Sequence, residues 1–328
     1  MSTSYRVINI LRKIVFISVL LVSSFASANQ NKLPSQIRSD EAIYASSFFW
    51  EAMNNGLYFL IPDVLNALTG AYLNDKNDAT TAAHIGAAHA WRLSERERMD
   101  PIPSTITDDA TLARKYFDEK MRMEPTDAHF MGFLGSFMMS EADVHGDEKL
   151  MKKGYETLVN STKLFPEFNY VTGALAITGG VIESPFSVDS EIFKLALEWQ
   201  WKTINLCYGQ VDRSNPDVSM YISKEIHTGP KKVCWNSATA PHKFEGFFLN
   251  MGDMLVKSGD WKTAQKIYAN ARLASSYSTW QYASILEQRI IEAETNVALF
   301  NAPRQPSGHY IKPMMSQSAY SCTACHQN

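Results

Sequence analysis

Residues 252–271 read GDMLVKSGDWKTAQKIYANA, and the fold turns on this stretch. Gly252 stands twelve residues before Ala264, and Tyr268 and Ala271 follow at helical spacing. Between them, Ser258-Gly259-Asp260-Trp261 interrupts the apolar period with turn-forming residues. Two helices folded back on each other are predicted, with small residues where the backbones approach and one aromatic side chain filling the gap.

The rest of the chain has a similar texture. Apolar residues recur at three-to-four spacing over Glu41–Asn54, Thr80–Arg98, Ala110–Met123, Lys149–Leu164, Ser190–Cys207, Lys243–Ser258, Trp261–Ala274 and Trp280–Phe300, so an all-α domain is expected. Weaker echoes of the glycine-alanine spacing occur at Gly70, Ala82 and Gly86, at Ala113, Phe117 and Pro125, and at Gly154, Leu158 and Pro166. In the last of these, an insertion around Asp143–Asp147 is expected to stretch the hairpin. Over roughly residues 48–300 the chain resembles the tetratricopeptide repeat family, closely at 252–271 and loosely elsewhere, since the units are not 34 residues apart. That resemblance implies stacked helical hairpins, an α-solenoid, with an irregular helical bundle as the alternative.

The sharpest chemical signal is Cys322-Thr323-Ala324-Cys325-His326. This C-x-x-C-H run resembles the haem-attachment motif of c-type cytochromes, in which two thiols add to the vinyl groups of one haem and the adjacent histidine ligates iron. It implies one covalent haem c on Cys322 and Cys325, with His326 as proximal iron ligand. A disulfide, a dithiol redox pair or half of a zinc site are the competing readings of the same spacing. Pro303, Pro306, Gly308 and Pro313 mark 301–321 as an extended connection, so the motif is expected at the end of a strap with little chain left to cover a haem. Small c-type cytochromes either continue with a methionine-bearing segment or carry the motif within a last helix. Neither arrangement is present here, so their fold and sixth ligand do not carry over.

A second axial ligand must then come from upstream. His309, Met314 and Met315 lie on the strap, His227 and His242 flank the Cys207–Cys234 region, and Met251 and Met254 lie on the following helix. An open or water-ligated iron is the alternative. Each methionine also reads as core filler at helical spacing. His84 and His89 are five residues apart, about 140° around an ideal helix, and so do not share a face. His129 and His145, near Asp127 and Asp143, show no ligand spacing, and Glu95-Arg96-Glu97-Arg98 reads as a solvated helix end.

Arg6, Arg12 and Lys13 precede an apolar stretch over 14–25 that closes with Ala26-Ser27-Ala28, the pattern of a cleavable signal peptide. Cleavage near Ala28/Asn29 and export to a bacterial periplasm are expected, with no membrane span thereafter. In that oxidising compartment Cys207 and Cys234 are expected to be bonded, closing a loop and restraining the unfolded chain by roughly 3 kcal/mol. The chain is thus read as a signal peptide at 1–28, an α-helical repeat-like domain at 29–300 and a haem-bearing tail at 301–328.

Loss of the three signal-peptide cations takes the formal charge from −3 to −6, with no basic patch of the kind nucleic acid demands. No G-x-S-x-G, phosphate loop or H-E-x-x-H occurs. The expected function is one-electron transfer, or a redox subunit that docks a protein partner or peptide on the repeat surface; homo-oligomerisation stays open. The alternatives are a binding or assembly module with structural or sensory haem, and a haem enzyme acting on peroxide or a small nitrogen species.

Overall fold

The computed structural model describes residues 32–178, 191–222, 228–234 and 244–326. Among these the architecture is all-α, with no strand. Twelve helices of at least two turns follow one another: α1 Asp40–Asn54, α2 Ile61–Asn74, α3 Ala79–Ser94, α4 Asp108–Met123, α5 Ala128–His145, α6 Glu148–Leu164, α7 Pro166–Thr178, α8 Glu191–Cys207, α9 Phe244–Lys257, α10 Trp261–Asn270, α11 Ala283–Ile291 and α12 Ala293–Phe300. Most helices pack chiefly on their neighbours in the chain, most extensively α5 on α6, α3 on α4, α7 on α8 and α9 on α10.

Aspartates start many of these helices. Asp78 accepts from the Thr80 and Thr81 amides at 3.0 Å, and Asp147 from the Lys149 and Leu150 amides at 3.0 Å. Asp127 and Asp260 cap α5 and α10 in the same way. Each cap satisfies amides that the first helical turn leaves without a partner. Gly146, at φ 64°, ends α5 in the left-handed conformation and Asp147 begins α6 at once. The expected insertion around Asp143–Asp147 is therefore absent: Asp143 belongs to α5 and the hairpin is tight.

Helices α2, α5 and α7 go beyond the sequence expectation. α5 and α7 carry apolar residues around most of their circumference, because neighbours cover them on more than one side, so no single stripe announces them. The predicted helix Trp280–Phe300 is instead two helices joined at Glu292, preceded by a short 3-10 turn at Tyr277–Thr279. Glu292 pairs with Lys312 of the tail, and α12 packs on α9.

Cys207 and Cys234 are bonded as expected, with Cα atoms 5.5 Å apart. The predicted signal segment and cleavage point lie outside the described residues. Among the described residues no helix is long and apolar enough to cross a membrane.

Candidate functional site

From α12 the chain runs back along the array as an irregular tail, with one 3-10 turn at Met315–Gln317. Arg289 donates to the Pro313 carbonyl (2.7 Å), the Met315 amide to Asp253 Oδ2 (2.6 Å), and Gln317 Nε2 to the Thr178 carbonyl (3.0 Å). Asp253 is almost completely buried and also accepts from the Tyr268 hydroxyl (2.5 Å), with Arg289 at 3.4 Å. The tail thereby crosses from the C-terminal helices to the end of α3.

The loop that carries Cys322, Cys325 and His326 is seated on Glu95. This residue is fully buried, and its Oε1 accepts from the amides of Cys322 (3.1 Å) and Thr323 (2.9 Å) and from the Thr323 hydroxyl (3.0 Å). Its Oε2 accepts from Trp91 Nε1 and Arg98 Nε, each at 2.9 Å. Burial raises the carboxyl above its ordinary value, while Arg98 and these donors pull it back. Arg98 also donates to the Ala319 carbonyl (2.7 Å) and lies over the rings of Tyr58 and Tyr320. The run at 95–98, read from sequence as a solvated helix end, is instead the clamp for the tail, with Glu95 and Arg96 both buried. Alternating charges carry no mark of such burial, because the partners lie 227 residues away in the chain.

The opposite side of the loop rests on α9 and the segment before α11. Trp280 Nε1 donates to the Ala324 carbonyl (3.1 Å), and the Tyr282 hydroxyl bonds Thr323 Oγ1 (2.8 Å). A Cβ on Gly246 would overlap Cys325 Sγ and come within 2.7 Å of the Ala324 carbonyl, so only glycine admits the loop at this point. A glycine inside a predicted helix was the one available sequence signal for this contact. Cys322 packs against the core of α1–α3, and Ala324 is fully buried in the core of α8–α12. The motif therefore does not hang free of the helices; it joins two cores.

Cys322, Cys325 and His326 all line one cavity of about 260 Å³. Its walls come from α3 (Ala90, Leu93), α5 (Phe133, Phe137), α7 (Phe168, Val171, Leu175, Ala176), α8 (Gln200, Thr203) and α9 (Phe244, Phe247, Asn250). The Cys207–Cys234 disulfide, Tyr208, several serines and two charged residues, Arg96 and Glu167, also line it. The two motif thiols are free rather than bonded to each other. Burial pushes both up, Cys325 to about 12 with Glu245 adding to it, and Cys322 further with help from Glu95. A dithiol redox couple needs the reverse, a thiolate stabilised near neutral pH. Among the described residues, no three His, Cys, Asp or Glu side chains gather closely enough to hold one metal ion.

Such walls suit a macrocycle: apolar and aromatic faces for its plane, two unbonded thiols three residues apart for its edge and an imidazole beside them for its iron. The His326 ring lies 5.9 Å from Trp50, which in turn meets His84 at 5.6 Å. The distal candidates fare differently. His309 Nδ1 is bonded to Glu97 Oε2 at 2.7 Å, away from the cavity walls. Met314, Met315 and Met251 are buried in the C-terminal core, and Met254 packs beside Leu158 and Trp199. None of these five lines the cavity, for the reason that makes methionine common at helical spacing: it fills apolar gaps. His227 and His242 lie outside the described residues. His84 and His89 face separate partners, Ser46 Oγ at 2.9 Å and Asp109 Oδ1 at 2.7 Å. His129 packs on Phe168 in the first turn of α5, and His145 closes that helix.

The chain matches no protein-family profile, and neither the curated proteins nor the solved structures yield a significant match.

Proposed function

We propose that this chain is an exported c-type haem protein whose tetratricopeptide-like helical array encloses one covalently held haem and serves one-electron transfer with a protein partner. The observation that carries the reading is the convergence of Cys322, Cys325 and His326 on a single apolar cavity, with both thiols free. Attachment adds each S–H across a vinyl group: sulfur bonds to one vinyl carbon and the hydrogen ends on the other, so no oxidant is needed but both thiols must be reduced. When bound, the haem would supply an iron centre that cycles by one electron. The chain's own contribution is to hold the attachment loop on Glu95, Trp280 and Tyr282 and to exclude water with the aromatic walls of α5, α7 and α9. The neighbour-on-neighbour stacking of helices and the Gly252–Tyr268 contact support the repeat-like reading, and with it a docking surface for a partner.

A second reading, a haem protein that binds or transforms a small molecule, is favoured by one specific observation. Among the described residues lining the cavity, His326 is the sole histidine and no methionine or lysine accompanies it, so the described wall offers none of these as a second iron ligand.

The test is a haem-stained denaturing gel with a pyridine haemochrome spectrum, on protein exported alongside a c-type maturation system. One haem that stays with the wild-type chain and disappears in Cys322→Ala plus Cys325→Ala is expected. A chain that exports and folds under those conditions without covalent haem would overturn the proposal. Low-spin six-coordinate iron would then select electron transfer, and high-spin iron that binds carbon monoxide would select the second reading.

A further inference from the structure

The end of a stacked helical array is normally closed by a polar outer face, since no further hairpin covers it. The first hairpin here departs from that rule. Among the described residues, six of the eleven large apolar side chains left exposed fall within 33–73, and three of them, Ile43 (49%), Tyr44 (67%) and Leu73 (63%), stand on α1 and α2 themselves. Between the start of α1 and the end of α2 the surface opens into a groove of about 690 Å³, whose lining includes Asp40, Glu41, Tyr44, Ala67, Gly70 and Leu73. Gly70 helps to keep it open, as a Cβ there would meet nothing within 4 Å. Contiguous exposed apolar surface of this kind marks a place where something docks.

The charge around the groove says what. Asp40, Glu41 and Glu51 on α1 and Asp63 on α2 are all exposed, and neither helix carries a lysine or an arginine. Residues 32–78 hold three cations. Lys32 pairs with Glu119 (2.6 Å) and Arg38 with Asp78 (2.9 Å), which leaves Lys76 in the turn beyond α2. A second copy of the chain meeting this face through its own would set carboxylates against carboxylates, which like-charge repulsion disfavours. The complementary surface is an apolar contact ringed by lysine and arginine.

Helix α1 also reaches the C-x-x-C-H loop. Trp50, about 9 Å along the helix from Tyr44, is half-buried, and its ring lies 5.9 Å from that of His326. One helix thus carries both the exposed acidic face and the aromatic side chain that meets His326.

We propose that the outer face of α1 and α2 docks a basic redox protein, whose lysines and arginines surround an apolar contact seated between Tyr44 and Leu73. The proposal rests on the haem reading above and gives it the class of its partner. One electron passes between the two proteins on the α1 side of His326: the ferrous haem is oxidised, the partner's one-electron centre is reduced, and no bond is made or broken.

The probe is a small basic c-type cytochrome in its ferric form, with an acidic c-type cytochrome of matched size beside it. Isothermal titration reads affinity whether or not the chain holds haem, and stopped-flow spectroscopy reads the second-order rate of electron transfer from the reduced chain. Wild-type protein is expected to bind the basic probe at least about 10-fold more tightly than the acidic one at low salt, and to lose that preference at high salt. Glu41→Lys plus Glu51→Lys lowers affinity and rate by about 10-fold or more, and Tyr44→Ser plus Leu73→Ser, both at exposed positions, by about 3- to 10-fold. Glu156→Lys plus Glu294→Lys makes the same change of net charge at exposed positions of α6 and α12 and alters either quantity by less than about 2-fold. No preference of the wild type for the basic probe overturns the proposal, as does a loss in the α6 and α12 variant equal to that in the α1 variant. A dimer in sedimentation that Tyr44→Ser plus Leu73→Ser dissolves assigns the face to a second copy and overturns it too. Absence of covalent haem is seen separately in the pyridine haemochrome and removes the electron-transfer reading, while the titration still decides whether this face takes the basic probe.

Discussion

In the hairpin of α9 and α10, Gly252 faces Tyr268; in the hairpin of α2 and α3, the residues at the same two positions are Gly70 and Gly86. A Cβ on Gly252 would overlap the Tyr268 ring, which is fully buried and anchored through its hydroxyl to Asp253. A Cβ on Gly70 would meet nothing within 4 Å. The aromatic missing from the earlier hairpin comes from the next helix, where Phe117 of α4 lies 3.0 Å from the position a Cβ on Gly86 would take. A glycine at the right spacing thus signals a close helix approach only when something large stands opposite, and that partner can shift by one helix along the array.

The two hairpins also hold the tail by different means. The C-terminal one uses a buried aspartate and close packing: Asp253 takes the Met315 amide and Gly246 admits Cys325. The N-terminal one uses carboxylates just beyond α3: Glu95 gathers donors from the loop, Trp91 and Arg98, and Glu97 takes His309.

The largest way to break this comparison is Glu95→Ala. Removing one member of a buried charged network is expected to cost about 3–5 kcal/mol in chemical denaturation. A loss below about 1 kcal/mol would show that the C-terminal hairpin holds the tail by itself.

Acid–base behaviour separates the hairpins next. Burial, reinforced by Arg38, lowers His84 of α3 from 6.5 to about 4, so the folded state binds fewer protons than the unfolded chain between those values. Stability from this group is present above pH 6.5 and lost as pH falls toward 4, by up to about 3 kcal/mol across the window. Asp253 runs the other way. Burial raises it, so its contribution is complete below 3.8 and lost as pH rises through its elevated folded-state value. Unfolding free energies measured from pH 4 to 8 should flatten on the acid side in His84→Gln and lose the opposing slope in Asp253→Asn. Identical pH profiles for wild type and both variants would refute the contrast.

Gly252→Ala should cost about 1–3 kcal/mol, because the Tyr268 ring must move. Combining it with Tyr268→Leu should recover part of that loss, a coupling that a double-mutant cycle measures. Purely additive effects would mean that the glycine is not there for the ring. The smallest effect is expected to have the opposite sign. Gly70→Ala, with open space around it inside α2, should stabilise the protein by about 0.5–1 kcal/mol through helix propensity, read as a higher melting temperature.

Much of the fold was legible before any coordinates. Helices with one apolar stripe, such as α1, α6 and α10, follow from their period, and the turn at Ser258-Gly259-Asp260-Trp261 follows from its residue types: Gly259 takes φ 91° and Asp260 caps α10. Helices α5 and α7 were not legible, since burial on several sides erases the stripe. The site was legible only in its chemistry. Cys322, Cys325 and His326 stand out by spacing, whereas Glu95, Gly246, Asn250 and Gln200 resemble any other residues of a helix or its end. Methionine was a misleading guide, because Met251, Met254, Met314 and Met315 answer to packing rather than to the cavity.

By itself, the sequence determined the helical elements with their aspartate caps and the C-x-x-C-H run, because each rests on residues within a turn or two of one another. It also narrowed the bonded cysteines to Cys207 and Cys234, once the C-x-x-C pair was set aside for the motif. Only the tertiary structure decided that the tail folds back to the end of α3 and that the motif faces a largely apolar cavity. Those are relations between residues more than 220 positions apart, set by burial and close approach, and local periodicity carries no record of either.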